Sequence, residues 1–129
     1  MAIYHLDAKV ISRGAGRSAV AAVAYMSCSQ ITNEYDGVQH DYTRKQGLVW
    51  QQIFLPEYAP PEWSDRGTLW NAVEEAEKTK DSRLAREFVV ALPIEMGKAE
   101  WKSLLTEFTQ DNFVADGMCA DVCIHDTDG

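Results

Sequence analysis

Among the residues that could do chemistry, Tyr25 stands on the first predicted helix. At helical spacing its neighbours are Ser18, Ala21, Ala22, Cys28 and Ser29, all small, while the apolar stripe runs through Val20, Val23 and Ala24. Tyr25 therefore projects from a low face that a polymer backbone can approach. The competing reading is a boundary tyrosine that packs its ring and wets its hydroxyl. Ahead of it, Arg13-Gly14-Ala15-Gly16-Arg17 joins two cations to two glycines that open backbone N–H groups to an anion, with a helix N-terminus following. A hydroxyl on Tyr25 lies roughly 12 Å along the helix from that loop, about two phosphates away. A plain strand–helix turn accounts for the same residues.

Three further groups carry polar chemistry. Cys119, Asp121, Cys123 and His125 alternate with Ala120, Val122 and Ile124, so they share one face of a strand. A zinc held by Cys119, Cys123 and His125 would lack a fourth ligand, and small buried thiols explain the cysteines more simply. His40-Asp41-Tyr42-Thr43-Arg44-Lys45 is either a charged edge strand or a grip on a nucleic-acid backbone. Glu74, Glu75, Glu77, Lys78 and Lys80 read as a solvated helix face.

These residues need elements to hold them. Residues 2–11 alternate, with Tyr4, Leu6, Ala8 and Val10 on one face and His5, Asp7 and Lys9 on the other, which predicts a half-buried strand. Ser18 is the predicted N-cap of an alanine-rich helix reaching Ser27. Asp36-Gly37 marks the turn of a hairpin over 33–42, and 48–55 is a strand ended by Pro56. A helix begins near Ser64 with Leu69, Trp70, Val73 and Ala76 inward; Glu87–Leu92 is a strand stopped by Pro93. Lys98–Phe113 is an amphipathic helix with Trp101, Leu104, Leu105 and Phe108 inward, and Met118–His125 is the last strand. The order predicts an α+β fold, an antiparallel-leaning sheet with helices packed on it. The final His125-Asp126-Thr127-Asp128-Gly129 reads as an opening turn, after which a further sheet strand is expected.

Composition sets the frame. The chain's 129 residues suit one domain, and 46% apolar with 25% charged residues is an ordinary globular balance. No apolar run approaches the ~18 residues of a membrane span, and the N-terminus does not read as a signal peptide. Three cysteines argue against a disulfide framework and point to a reducing cytoplasm. The net charge of −8 opposes strong non-specific DNA affinity, yet it is uneven: residues 1–54 carry +1 and residues 55–129 carry −9.

Together, several stretches resemble the MobA/MobL relaxases, plasmid mobilisation nickases of the histidine–hydrophobic–histidine endonuclease superfamily. They are Ala2-Ile3-Tyr4-His5-Leu6, Ser12-Arg13-Gly14-x-Gly16-x-Ser18-Ala19, His40-Asp41-Tyr42-x-Arg44-Lys45 and Leu55-Pro56-Glu57-x-Ala59-Pro60. Ala91-Leu92-Pro93 and Ala120-Asp121-Val122-x-Ile124-His125-Asp126 complete the set, in family order and over nearly the whole chain. The resemblance implies that Tyr25 attacks a phosphodiester of single-stranded DNA at a plasmid transfer origin, leaving a 5′-phosphotyrosyl enzyme and a free 3′-hydroxyl, with later religation. It implies a divalent metal (Mn, Mg or Zn) held by three histidines, of which His125 matches the first. The other two fall in a Pro-His-x-His segment beyond residue 129, so residues 1–129 read as the N-terminal portion of the catalytic domain, incomplete as a metal site. Glu87 matches an acidic position that supports the nucleophile or a metal histidine. Arg13, Arg17, Arg44 and Lys45 are the expected DNA contacts, whether the chain cuts or, alternatively, only binds single-stranded DNA. Relaxosome accessory proteins and a type IV coupling protein are the implied partners, together with a homodimer through an open sheet edge.

Overall fold

The chain is described by a computed structural model covering residues 5–77, 82–92 and 95–125, with side chains from residue 8 onward in the first segment. Among the described residues, six strands and three α-helices follow the predicted order. They are β1 (His5–Ser12), α1 (Ala19–Met26), β2 (Gln30–Asn33), β3 (Val38–Asp41), β4 (Leu48–Phe54), α2 (Arg66–Ala76), β5 (Arg83–Ala91), α3 (Lys98–Asn112) and β6 (Ala120–His125). Every strand pairing is antiparallel. Among the described residues the strands form three two-stranded ladders, β1–β5, β2–β3 and β4–β6, in place of one continuous sheet. Tyr4, Lys78, Lys80 and Pro93 lie outside the described residues.

Helix α1 is the hub. Its N-cap Ser18 accepts a hydrogen bond from the Ala21 N–H at 3.1 Å. Val20, Val23 and Ala24 pack with Ile31 of the hairpin, and Met26, Tyr42 and Trp70 border that cluster. Ala19 packs on its other side with Ile11 and Leu84, where Trp70 and Val73 of α2 close the layer. At the far end of the fold, α3 meets β5 through Phe113, whose ring centroid lies 5.3 Å from Phe88 and 5.9 Å from Phe108.

Two local expectations change. Among the β1 residues whose side chains are described, Ile11 is buried, 3% exposed, while Val10 is 46% exposed. Ile11 pairs with Ala85 at the end of the ladder, where the chain turns through a 3-10 helix (Arg13–Ala15) and lays α1 on the Ile11 side. Strand β5 also begins at Arg83, four residues before the predicted start, because Leu84 is core and Arg86 still pairs with Val10.

Candidate active site

Tyr25 stands in the last turn of α1 and is 54% exposed, so the small residues around it do leave its ring open. The chain leaves α1 through Ser27 and Cys28, whose φ of +53° turns it sharply into the β2–β3 hairpin. The hairpin's second arm returns to the helix. The Tyr42 N–H donates to the Ser29 carbonyl at 3.0 Å, and the Tyr42 ring meets Tyr25 edge to face, centroids 5.2 Å apart at 87°. A further turn brings the Lys45 ammonium 4.5 Å above the Tyr25 ring. Asp41 ties this turn by accepting from the Thr43 N–H at 2.9 Å and its hydroxyl at 2.6 Å; those bonds hold the Asp41 carboxyl below the usual carboxylate range.

From the other end of the sequence, β6 delivers His125. Its Nε2 lies 2.6 Å from the carbonyl oxygen of Met26, the residue after Tyr25. The strand is steered there by Asp121, two pleats earlier. Asp121 has a side chain 1% exposed, accepts both Arg66 Nε and Nη2 at 2.6 Å, and accepts the Trp70 indole N–H at 2.9 Å. Gln51 of β4 accepts from the same guanidinium. Sequence reading assigned no role to Arg66, Trp70 or Asp121 in this clamp. Cys123, between Asp121 and His125 on the same face, has its thiol pushed up to about 12 by burial and by the Asp121 carboxylate. Burial also raises the Cys119 thiol.

The loop before α1 departs from the anion-cradle reading. The Gly16 N–H donates to the Arg13 carbonyl at 2.9 Å and the Arg17 N–H to Ser12 at 3.3 Å, so the loop spends amides on its own turn. The helix N-terminus holds an internal anion instead. Glu74 of α2 is 1% exposed and its carboxylate accepts from the Ser18 hydroxyl at 2.9 Å and the Ala19 and Val20 N–H groups at 2.9 and 3.4 Å. Arg13 donates to that carboxylate at 2.8 Å and also to the Glu74 and Glu77 carbonyls. Glu74 is thus no part of a solvated face, and Arg13 is turned inward, its side chain 10% exposed. The sequence does hold a signal: Glu74 continues the Trp70, Val73 stripe at i+4 and i+1.

The remaining expected residues separate into two places. Glu87 lies 3.7 Å from both the Lys9 ammonium and the Arg17 guanidinium. Arg17 precedes the N-terminus of α1, so Glu87 is at the opposite end of the helix from Tyr25, and the structure does not bring the two together. Arg44 and Lys45, with Arg44 exposed, stay on the Tyr25 side. Beside the site, a groove past Ser27–Thr32 and the first turn of α2 carries Glu34, Asp65 and Glu75 along its walls. Those carboxylates repel a phosphate backbone, and the cations of the 42–45 arm attract one.

Among the described residues no three of His, Cys, Asp and Glu converge to hold a metal. His125, against the Met26 carbonyl, is a single suitable donor, which by itself does not fit a metal site. Among the described residues no helix is long and apolar enough to cross a membrane.

The comparisons with known proteins agree with one another. The MobA/MobL family profile matches residues 17–129. A conjugal transfer protein TraA of Rhizobium radiobacter is 39% identical, with all of this chain aligned to 13% of its length. A mobilization protein MobL of Acidithiobacillus ferridurans is 42% identical over 97% of this chain and 32% of its own. A solved structure described as the molecular basis of vancomycin resistance transfer in Staphylococcus aureus superposes with a TM-score of 0.91 and 34% identity. That match covers 99% of this chain and 65% of the solved one. The chain thus spans an eighth to a third of the length of these two curated relatives.

Proposed function

The chain belongs to the MobA/MobL family, and on that premise we propose that it is part of a relaxase domain that nicks single-stranded DNA at a plasmid transfer origin, with Tyr25 as nucleophile. The observation that carries this reading is the exposed Tyr25 phenol with the Lys45 ammonium over its ring, in the helical turn whose Met26 carbonyl meets His125 of the last described strand.

In this reading the Tyr25 oxygen attacks the scissile phosphorus. The new O–P bond forms as the P–O3′ bond breaks; the phenolic proton passes to solvent, and the leaving 3′-oxygen takes up a proton to become the free hydroxyl. One phosphodiester is exchanged for another, so the 5′-phosphotyrosyl linkage stays primed for religation by the reverse step. Lys45 places a positive charge against the ring as its oxygen becomes anionic and against the incoming phosphate. Arg44 and Lys45 guide the DNA backbone to the site, and Arg17 contributes at the other end of α1 while shared with Glu87. A divalent cation (Mn, Mg or Zn), were one held here, would withdraw charge from the non-bridging phosphate oxygens; His125 would supply one ligand, and the described residues do not complete its site. The partners proposed from the family are relaxosome accessory proteins and a coupling protein, the setting is cytoplasmic, and a homodimer through a sheet edge is open to test by sedimentation.

The test is covalent capture. The protein is mixed with single-stranded oligonucleotides tiling the DNA that carries its gene, in Mn2+, and run on a denaturing gel. A protein–DNA band that Tyr25→Phe abolishes supports the reading; oligonucleotides bound without any such band leave a DNA-binding module in its place.

A further inference from the structure

We infer that Tyr42 is a positioning residue for the nucleophile: its ring forms the wall that fixes the Tyr25 side chain in one attacking pose. The inference rests on Tyr25 being the nucleophile.

The argument starts from what surrounds Tyr25. Its helical neighbours Ala21, Ala22, Cys28 and Ser29 are too short to restrain a ring, and the ring is 54% exposed. A phenol on such a surface samples several χ1 rotamers, and attack along one line at a phosphorus requires one of them. Restraint must come from another element, and one ring supplies it: Tyr42, perpendicular to Tyr25 at 5.2 Å.

Tyr42 has the rigidity that Tyr25 lacks. Its N–H donates to the Ser29 carbonyl and its carbonyl accepts from the Lys45 N–H, both at 3.0 Å. Its half-buried side chain packs on the cluster of Val20, Val23, Ala24 and Ile31. The Asp41–Thr43 bonds lock the turn on its far side. The same turn brings the Lys45 ammonium 4.5 Å from the Tyr25 ring centroid, so one short arm sets both orientation and charge. A hairpin leaving directly from the end of α1 makes this register automatic: Gln30 pairs with Asp41, so the next pair along the arm is Ser29 with Tyr42, beside the last turn of the helix.

The test uses the protein from its full reading frame and an oligonucleotide that the wild type captures covalently. Single-turnover adduct formation at saturating DNA gives the chemical rate; fluorescence anisotropy in the Tyr25→Phe background gives the affinity. Tyr42→Leu lowers the saturating rate by about tenfold, the scale of one aromatic pair lost from the transition state. Its affinity stays within about twofold, because the effect is on pose and not on binding. Tyr42→Phe keeps the wild-type rate, since the ring and not its hydroxyl forms the wall. If Tyr42→Leu does not fold, Tyr42→Met carries the same test with a flexible side chain that fills the space. An unchanged rate in the ringless variants overturns the inference. So does a loss seen only in affinity, which would make Tyr42 a stacking platform for a base, or a phenylalanine variant as slow as leucine. A wild type that forms no Tyr25-dependent adduct defeats the parent reading instead, and the two failures are distinct.

Discussion

His125 Nε2 lies 2.6 Å from the carbonyl oxygen of Met26, so residues 99 positions apart join the last strand to the turn of helix that carries Tyr25. A carbonyl can only accept, so the imidazole donates from Nε2, and its ring orientation is tied to the backbone beside Tyr25. In the proposed reading His125→Ala lowers adduct formation by about 10- to 100-fold, the range for losing a group that supports a metal site. EDTA does the same to the wild type, and Mn2+ restores it. Undiminished adduct in His125→Ala would remove His125 from the site.

The Arg44 and Lys45 cations should show as salt dependence. On single-stranded DNA each phosphate contact contributes about 0.7 to the slope of log K against log salt. Arg44→Gln and Lys45→Gln each flatten that slope by about 0.7 in anisotropy titrations over a range of salt. A slope unchanged in both variants would place the DNA elsewhere.

Glu74 predicts a large stability effect remote from Tyr25. Glu74→Ala removes the carboxylate that pairs the buried Arg13 guanidinium and accepts the Ala19 and Val20 N–H groups, at a cost of about 3–5 kcal/mol in urea denaturation. Replacing both partners, Glu74→Leu with Arg13→Met, costs less than the single change, because no charge is left buried alone. A Glu74→Ala loss under about 1 kcal/mol would mean that the carboxylate is not needed there.

The Cys123 thiol, held protonated up to about 12 by burial and Asp121, resists alkylation at pH 8. The sign for stability follows. The folded state keeps a proton that the unfolded state releases above about 8.5, so the Cys123 contribution is intact below that pH and declines as pH rises toward 12. Mass spectrometry after iodoacetamide treatment checks the first point, and Cys123→Ala, which flattens the alkaline loss in urea melts, checks the second. Fast alkylation of Cys123 in the folded protein at pH 8 would contradict both.

The local signals in this sequence were those with a short-range cause. Ser18 capping, the Val20, Val23, Ala24 stripe and the openness of Tyr25 follow from helical periodicity and appear as read. What could not be read are the partners brought in by tertiary packing. Glu74 looks like one of a solvated acidic set until α2 lies against α1, and only then does Arg13 turn inward to meet it. The β1 alternation predicted Val10 as buried, but which face is covered depends on where α1 returns, and it returns over Ile11. Lys45 reaches the Tyr25 ring through a hairpin register and His125 reaches the Met26 carbonyl through a long-range strand, neither of which is encoded near Tyr25 in the sequence.

The central claim is that Tyr25 forms the covalent bond, and peptide mapping tests it most directly. The protein is incubated with an oligonucleotide that it captures, in Mn2+, then digested with nuclease and protease, and the modified peptide is sequenced by mass spectrometry. The account predicts a single nucleotide-bearing peptide with the 5′-phosphate on Tyr25, absent from Tyr25→Phe. A nucleotide on Tyr42, Tyr35 or any other residue, or an adduct that persists in Tyr25→Phe, would contradict it.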